Sequence, residues 1–169
     1  QAVNNQIRVT SSELHRIGTY AIQIEHALTG ETIFVPAVFT VVAGTPVGAL
    51  YSLMTPWPDT VQAGVTSQFT LIAKDVFSNP VSKGGDLISA DALYCTDQPN
   101  FNEAVTCLET PEAAYIAAGD VTDNDDGTYT VGYRPTMTGD YEVQVVRMGD
   151  GPIPHHPWRV RVKPGGVDP

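Results

Sequence analysis

The sequence predicts an all-β fold: an immunoglobulin-like β-sandwich in which one complete repeat follows the C-terminal strands of another. Three observations support this prediction. Short runs of alternating apolar and polar residues recur along the chain between turn-forming residues, as is typical of strands in a sandwich. The 13 Pro and 15 Gly are spread over the whole length, which disfavours long helices. Finally, one strand-and-turn segment occurs twice.

The composition excludes several classes of protein. The chain has 169 residues, and 42% of them are apolar, which is enough for a packed core. Its net charge of −10 would repel nucleic-acid phosphates and anionic lipids, so we expect no nucleic-acid partner. Residues 32–58 carry no charge and are long enough to span a bilayer, but four prolines interrupt them. Because a helix would break there, we expect no membrane span.

The repeated segment divides the chain into a partial and a complete unit. Residues 18–24 (GTYAIQI) match residues 139–145 (GDYEVQV), and both copies continue through a Gly-containing turn to a second alternating run. We expect residues 1–44 to be the C-terminal part of a preceding repeat, residues 45–164 a complete repeat, and residues 165–169 the start of a linker or tail. The partial unit cannot close a sandwich alone, so preceding residues or another chain would complete it.

The first strands of each unit follow from local patterns. In the partial unit we predict strands at residues 18–24, 33–35 and 38–42. In the complete unit, an apolar run at residues 49–54 ends before Pro56, and residues 67–74 alternate in polarity. Residues 87–95 form the next predicted strand, and residues 114–121 form a weaker one.

The last three strands are predicted from stronger signals. Residues 124–127 (NDDG) are typical of a hairpin turn, because Asp-Gly tolerates the positive φ angles that tight turns require. Residues 128–133, 140–146 and 158–162 follow, each with aromatic or β-branched residues on one face. The seven strands of the complete unit, separated by turns, predict an immunoglobulin-like sandwich.

A set of turn, aromatic and proline residues marks the second half of the chain: Asp123, Asn124, Asp126, Gly127, Tyr129, Tyr133, Pro135, Gly139, Tyr141, Pro157 and Trp158. This pattern resembles the filamin-type (filamin/ABP280) immunoglobulin-like repeat. The resemblance covers the whole complete unit and, more weakly, residues 18–44. Trp158 stands where the family usually has Phe. The resemblance implies a structural and protein-interaction module without catalytic activity or cofactor, placed in a tandem array beside similar repeats.

An insertion at residues 95–113 lengthens the repeat beyond the family's usual size. It lies between the segments that match strands C and D, which in filamins border a face that accepts partner peptides by strand addition. It carries the two cysteines, Cys95 and Cys107. An even count within one loop favours a disulfide, which would stabilise by about 3 kcal/mol and indicate an oxidising compartment. Two reduced thiols in a cytosolic protein are the alternative.

Two further clusters have simpler explanations than a functional site. Asp120, Asp123, Asp125 and Asp126 resemble a cation loop, but the position where an EF-hand needs Glu is Arg134. We therefore interpret them as a turn and predict no metal site. The adjacent histidines at 155–156 would point to opposite faces of an extended segment, which disfavours chelation. We find no nucleophile elbow or phosphate-binding loop, so we predict that the chain is not an enzyme.

Two aromatic residues are candidates for interaction. Trp57, between two prolines near the junction of the units, is expected either to pack between them or to be a partly exposed loop residue. Phe101 lies within the insertion. Protein partners would bind by strand addition or through residues 95–113.

The function predicted from these features has three versions. The first is a spacer or adhesion repeat of a surface or extracellular protein, which a Cys95–Cys107 disulfide would favour. The second is an intracellular cytoskeletal or ciliary scaffold, favoured by free thiols and by the lack of Asn-x-Ser/Thr sites. The third is an accessory repeat attached to an enzyme elsewhere in a longer chain.

Overall fold

The computed structural model describes residues 14–26, 28–95, 117–118, 120–154 and 158–165. The chain divides into two compact units, Gln1–Ala43 and Gly44–Pro169. The described residues form twelve β-strands and one short 3₁₀ turn. Two of these strands lie in the first unit and ten in the second. The all-β fold predicted from the sequence is confirmed.

The first unit contains an antiparallel hairpin of strands β1 (Gly18–Glu25) and β2 (Thr32–Val41). The pairing shifts register between Ala21 and Ile22, opposite Pro36. Because proline cannot donate a ladder hydrogen bond, this irregularity lets one strand continue through it. The two short strands predicted at residues 33–35 and 38–42 are therefore one strand.

The second unit is a sandwich of two sheets. In chain order its strands are β3 (Ser52–Leu53), β4 (Thr60–Gln62), β5 (Ser67–Ile72), β6 (Ile88–Cys95), β7 (Ala117–Ala118), β8 (Asp120–Asp123), β9 (Thr128–Tyr133), β10 (Gly139–Arg147), β11 (Gly151–Pro152) and β12 (Trp158–Lys163). One sheet has the order β3-β5-β9-β8, and the other has the order β4-β12-β10-β6-β7, with β11 paired to β10. All pairs are antiparallel except β12 with β4.

Two segments pass from one sheet to the other. Strands β3 and β4 are consecutive, yet β3 pairs with β5 and β4 with β12. Strands β7 and β8 are separated by one residue, yet β7 pairs with β6 and β8 with β9. Both sides of the sandwich are therefore bordered by a segment that contributes to each sheet.

The core lies between the sheets and is built from the alternating inner residues of their central strands. These include Phe69, Leu71, Tyr129, Val131, Tyr133, Tyr141, Val143, Val145, Trp158, Val160 and Val162. The alternation predicted for residues 67–74 and 128–133 thus corresponds to real inner faces. Burying a large apolar side chain stabilises by about 1.5–3 kcal/mol, so these strands dominate the folding energy.

Two predicted strands need correction. Gly48–Leu50 is a 3₁₀ turn, so the strand predicted at residues 49–54 is reduced to β3. The Gly48 amide donates a hydrogen bond of 2.9 Å to the Asp150 carboxylate, which holds this segment out of the sheet. The weak strand predicted at residues 114–121 contributes β7 and β8 to different sheets. Strands β4 and β11 are too short for periodicity to predict.

Candidate interaction surface

Strand β6, which precedes the insertion in the chain, has an outer edge with only a short partner strand among the described residues. Strand β6 pairs with β10 along all eight of its residues. On its other side, the described residues pair with two of them, Asp91 and Ala92, through β7. Strand β6 ends at Cys95, the first residue of the insertion. A strand edge offers backbone donors and acceptors to an extended peptide, which makes it a candidate interaction surface.

The two faces of β6 differ in character. Ala90 and Ala92 point into the core and are buried. Ser89, Asp91, Leu93 and Cys95 lie on the outer face, opposite alternate residues of β10. Ile88 and Tyr94 lie on the same side as these alanines and pack against the core, and the exposed or partly exposed outer residues offer mixed polarity to a partner.

Ion pairs between β10 and β12 cover the rest of this outer face. Arg159 lies 3.3 Å from Glu142, and Arg161 lies 2.8 Å from Asp140. Glu142 is only 3% exposed, so its pairing offsets the cost of burying a carboxylate. Because the charges are matched across adjacent strands, this face offers no concentrated field to a small charged ligand.

Several interaction and disulfide candidates lie in the undescribed part of the insertion. Cys107 and Phe101 fall outside the described residues, as does Pro157. Cys95 is the last residue of β6, and its Sγ lies 3.8 Å from the Leu93 carbonyl oxygen. The Cys95–Cys107 disulfide and the role of Phe101 therefore stay predictions.

The signature residues of the hairpin turn bind one another. Asp126 Oδ1 accepts hydrogen bonds from the Thr128 hydroxyl (2.6 Å) and amide (2.9 Å), and these bonds lower the pKa of Asp126. Asn124 Nδ2 donates to Thr128 Oγ1 and Thr130 Oγ1 at 3.0 and 3.1 Å. The carboxylate and amide groups are thus engaged in turn formation.

Asp123 and Gly127 connect this turn to the loop before β6. Asp123 accepts a hydrogen bond of 2.6 Å from the Gly85 amide. Gly127 has a φ of 83°, and a Cβ there would lie 2.0 Å from the Val81 carbonyl oxygen. Within the described ranges, no group of three or more His, Cys, Asp or Glu side chains could hold a metal ion.

The remaining signature residues support the core. The Tyr141 hydroxyl donates to the Met137 carbonyl oxygen at 2.9 Å, an arrangement like the tyrosine corner of immunoglobulin folds. Burial raises the pKa of Tyr133 to about 12. Pro135 is fully buried, and Gly139 leaves room for the Tyr94 ring, which would lie 2.5 Å from a Cβ at that position.

Trp57 packs on the core of the second unit. Its ring stacks on Tyr133 and Trp158, with ring centroids 5.8 and 5.5 Å away, and meets the edge of Phe69 at 4.9 Å. Its Nε1 donates to the Arg159 carbonyl oxygen at 2.7 Å. Trp57 packs against the core and is also partly exposed to solvent. Its role in partner binding stays a prediction.

Asp75, for which the sequence predicted no site role, is a heavily hydrogen-bonded carboxylate of the second unit. It accepts hydrogen bonds from the amides of Gly44, Phe77 and Asn79 and from Asn79 Nδ2, all between 2.9 and 3.0 Å. Burial opposes its ionisation, but these bonds outweigh it and lower its pKa to about 2. The sequence feature that could have indicated this role is an Asp shortly before a Ser-Asn-Pro turn. Asp side chains at such positions accept hydrogen bonds from the backbone amides that follow.

A second polar network joins the loop before β6 to the turn after β10. Arg147 Nη2 lies 2.6 Å from Asp86 Oδ1, and its Nη1 contacts Asp150. The Tyr51 hydroxyl donates to the other Asp86 oxygen. Burial, reinforced by Asp86, raises the pKa of Tyr51. Tyr51, Asp86 and the Arg147–Asp150 pair are distant from one another in sequence, so periodicity and spacing gave no signal for this network.

Comparison with known proteins gives a consistent result. The chain matches the Filamin/ABP280 repeat family over residues 23–159. It is 33% identical to the E3 ubiquitin-protein ligase TRIM71 of Gallus gallus over 102 residues, which are 60% of this chain and 10% of that protein. It is 44% identical to Filamin-C of Rattus norvegicus over 46 residues, 27% of this chain and 2% of that protein. The chain thus spans a tenth or less of these relatives.

Two solved structures share the fold. The Lin-41 filamin domain superposes with a TM-score of 0.52 at 12% identity, covering 71% of this chain and 98% of that one. The Escherichia coli adhesin FdeC superposes with a TM-score of 0.51 at 22% identity, covering 89% of this chain and 41% of that one. In the described part of the chain, no helix has the length and apolar character needed to cross a membrane.

Proposed function

Because the chain belongs to the filamin repeat family, we propose that it is a non-enzymatic structural and protein-interaction module within a longer tandem array. One observation carries this proposal: the hairpin of the first unit is the counterpart of the β10–β12 hairpin in the second. Both are antiparallel, and their first strands match in sequence at residues 18–24 and 139–145.

The first hairpin has an apolar face that matches a buried one. By strand pairing, one face carries Tyr20, Ile22, Ile24, Ile33, Val35, Phe39 and Val41. In the second unit the counterparts of the β1 residues, Tyr141, Val143 and Val145, are at most 1% exposed. A repeat whose last hairpin is β1–β2 would bury this face in the same way. On this basis residues 1–44 end one repeat, residues 45–164 form the next, and residues 165–169 begin a linker.

Amide hydrogen exchange in the full chain, with light scattering over a concentration series, tests the array proposal. An isolated two-stranded hairpin is marginally stable, so Ile22 and Ile24 should exchange at least about 10-fold faster than Val143 and Val145 in a monomer. Equal protection in an oligomer would mean that another chain completes the sheet, which also supports the proposal. Equal protection in a monomer would overturn it.

For partner binding, the edge of β6 is the proposed site. Six of its eight residues lie beyond the short ladder with β7, so a partner strand would extend or replace that ladder. Selecting ten-residue peptides from a random library and mapping them by amide chemical shifts would test this. The proposal requires shifts concentrated in β6. Shifts concentrated in β4, at the opposite edge of the same sheet, would contradict it.

The proposed location is a cell surface or the extracellular space, and it rests on the predicted Cys95–Cys107 disulfide. Intact mass after thiol alkylation, with and without prior reduction, tests it. Mass added only after reduction supports an oxidising compartment. Immediate alkylation of both thiols would instead favour an intracellular cytoskeletal or ciliary scaffold.

A second candidate function is supported by the TRIM71 relatives. Each carries the name of a ubiquitin ligase, and the matched segment is a tenth of each protein. On this alternative, the chain would be an accessory repeat of a longer protein whose enzymatic part lies elsewhere. The sequence of the full-length gene product distinguishes the two: further filamin-type repeats support the array, and an adjoining catalytic domain supports the accessory role.

A further inference from the structure

We infer that residues 44–51, here called the connector, are a rigid anchor that transfers load from the preceding chain into the second unit. The first anchor point is Asp75. Its buried carboxylate accepts the Gly44 amide at 3.0 Å, while the same side chain holds its own turn through Asn79. The Val47 amide adds a bond of 2.9 Å to the Lys74 carbonyl oxygen. The chain is therefore fixed as soon as it enters the unit.

The second anchor point is Asp150, in the turn after β10. Its carboxylate accepts the Gly48 amide at 2.9 Å. Gly48 is buried, and a Cβ there would lie 2.8 Å from the Asp150 Cβ, so only glycine permits this approach without a shift. The two anchors belong to turns 75 residues apart in sequence, and they hold the connector at its first residue, Gly44, and near its middle, at Gly48.

The anchors also reach the core. Asp150 is paired with Arg147, and Arg147 is paired with Asp86. The Tyr51 hydroxyl donates to Asp86, and Tyr51 is the buried last residue of the connector. Side chains from three separate loops, those of Asp75, Asp86 and Asp150, thus bind the connector along its length. Tension on the preceding chain would act on the bonds at Asp86 and Asp150 together, because they belong to one connected hydrogen-bond network.

The hydrogen bonds that anchor the connector do not depend on the proposed array. The array would only supply the load that these bonds carry. Amide hydrogen exchange in the full chain tests it directly. Gly44, Val47 and Gly48 should be protected at least about 10-fold relative to free peptide. Asp75→Ala should remove the protection of Gly44 and Val47, and Asp150→Ala should remove that of Gly48. Asp59→Ala, which removes an exposed carboxylate, should leave all three protected.

Two controls keep the test decisive. Val131 and Val143 in the core must stay protected in each variant, and Asp150→Ala provides the result if Asp75→Ala fails to fold. Unprotected connector amides in the unmodified chain would overturn the inference, as would variants that leave their exchange unchanged. Neither readout involves β1 or β2, so failure here is distinguishable from failure of the array proposal.

Stretching the full chain by its termini tests the mechanical consequence. Asp75→Ala leaves Gly48 held by Asp150, so it frees residues 44–47, which span at most about 14 Å when extended. The β1–β2 hairpin should release early in both proteins. In Asp75→Ala we expect a further release of up to about 14 Å at lower force than unfolding of the sandwich, and in the unmodified chain this further release should be absent. The same further release in both proteins would show that the connector bears no load.

Discussion

Gly127 occupies a position where both backbone conformation and space require glycine. Its φ is 83°, and a side chain would collide with the Val81 carbonyl oxygen. Gly64 has nearly the same φ, 79°, but no atom lies within 4 Å of its absent Cβ. Substituting Gly64 measures the cost of backbone strain alone, whereas substituting Gly127 measures backbone strain together with a steric clash.

We expect Gly127→Ala to destabilise the second unit by more than Gly64→Ala. Alanine at a positive φ costs about 1 kcal/mol, and only Gly127→Ala adds a backbone clash. Urea unfolding followed by tryptophan fluorescence measures both free energies, with the unmodified chain as reference. Equal losses in the two variants would mean that the loop at Val81 moves aside freely.

The Asp75 carboxylate should make stability depend on acidity. Its pKa in the folded protein is about 2, below its usual 3.8, so its ionised form stabilises the fold above about pH 4. That contribution is lost as the pH falls through 4 toward 2. We expect Asp75→Asn to cost more stability at pH 7 than at pH 2.5, measured by urea unfolding.

Leu71→Ala is a suitable control for this pH dependence because it removes no titratable group. Its cost should be similar at both pH values. If the Asp75→Asn cost were equally constant, the hydrogen bonds to Asp75 would not favour its ionised form.

At the scale of elements, stability depends on the inner faces of the central strands, of which β5 is one. Leu71 in β5 is fully buried between β3 and β9, whereas the neighbouring Thr70 points outward and is partly exposed. We expect Leu71→Ala to lower the free energy of unfolding by about 2–5 kcal/mol and Thr70→Ala by at most about 1 kcal/mol. Chemical denaturation measures both. A larger loss at Thr70 would mean that the faces of β5 are assigned incorrectly.

How far the sequence predicts an element depends on its length and alternation. The strands β5, β9 and β10 were predicted because each has several inward residues at every second position, which only a two-sided sheet explains. Strands β7 and β8 were merged into one prediction, because the change of sheet between Ala118 and Asp120 leaves no trace in the polarity pattern. Pairing partners distant in sequence, rather than local propensity, set those boundaries.

The candidate surface was predictable only in part for the same reason. The position of the insertion after β6 followed from chain order, and the turn residues from their chemistry. The anchors at Asp75 and Asp150 depend on contacts with Gly44 and Gly48, which are 31 and 102 residues away. Such long-range bonds are fixed by the folded arrangement and cannot be inferred from spacing alone.

At the scale of the whole molecule, the two units should unfold separately. Both tryptophans, Trp57 and Trp158, are packed in the second unit, so fluorescence reports on it alone. The β1–β2 hairpin contributes to far-ultraviolet circular dichroism but not to this signal. We expect dichroism of the full chain to change at lower urea concentration than fluorescence, since the described part of the first unit has no second sheet.

A chain limited to residues 44–169, which contains its own core, is the control for this prediction. Its dichroism and fluorescence transitions should coincide. Coincident transitions in the full chain as well would mean that the first unit is as stable as the second.

The short border strands of the sandwich bear on how such chains avoid misassembly. The four outermost strands, β3, β4, β7 and β8, have only two to four residues each, so within the described residues a long edge is left open at β6, beyond its ladder with β7. Long free edges invite pairing between chains, and similar domains in tandem are especially prone to exchange strands while they fold. The edge of β6 is therefore where near-copies synthesised side by side would most readily cross-pair until a partner covers it.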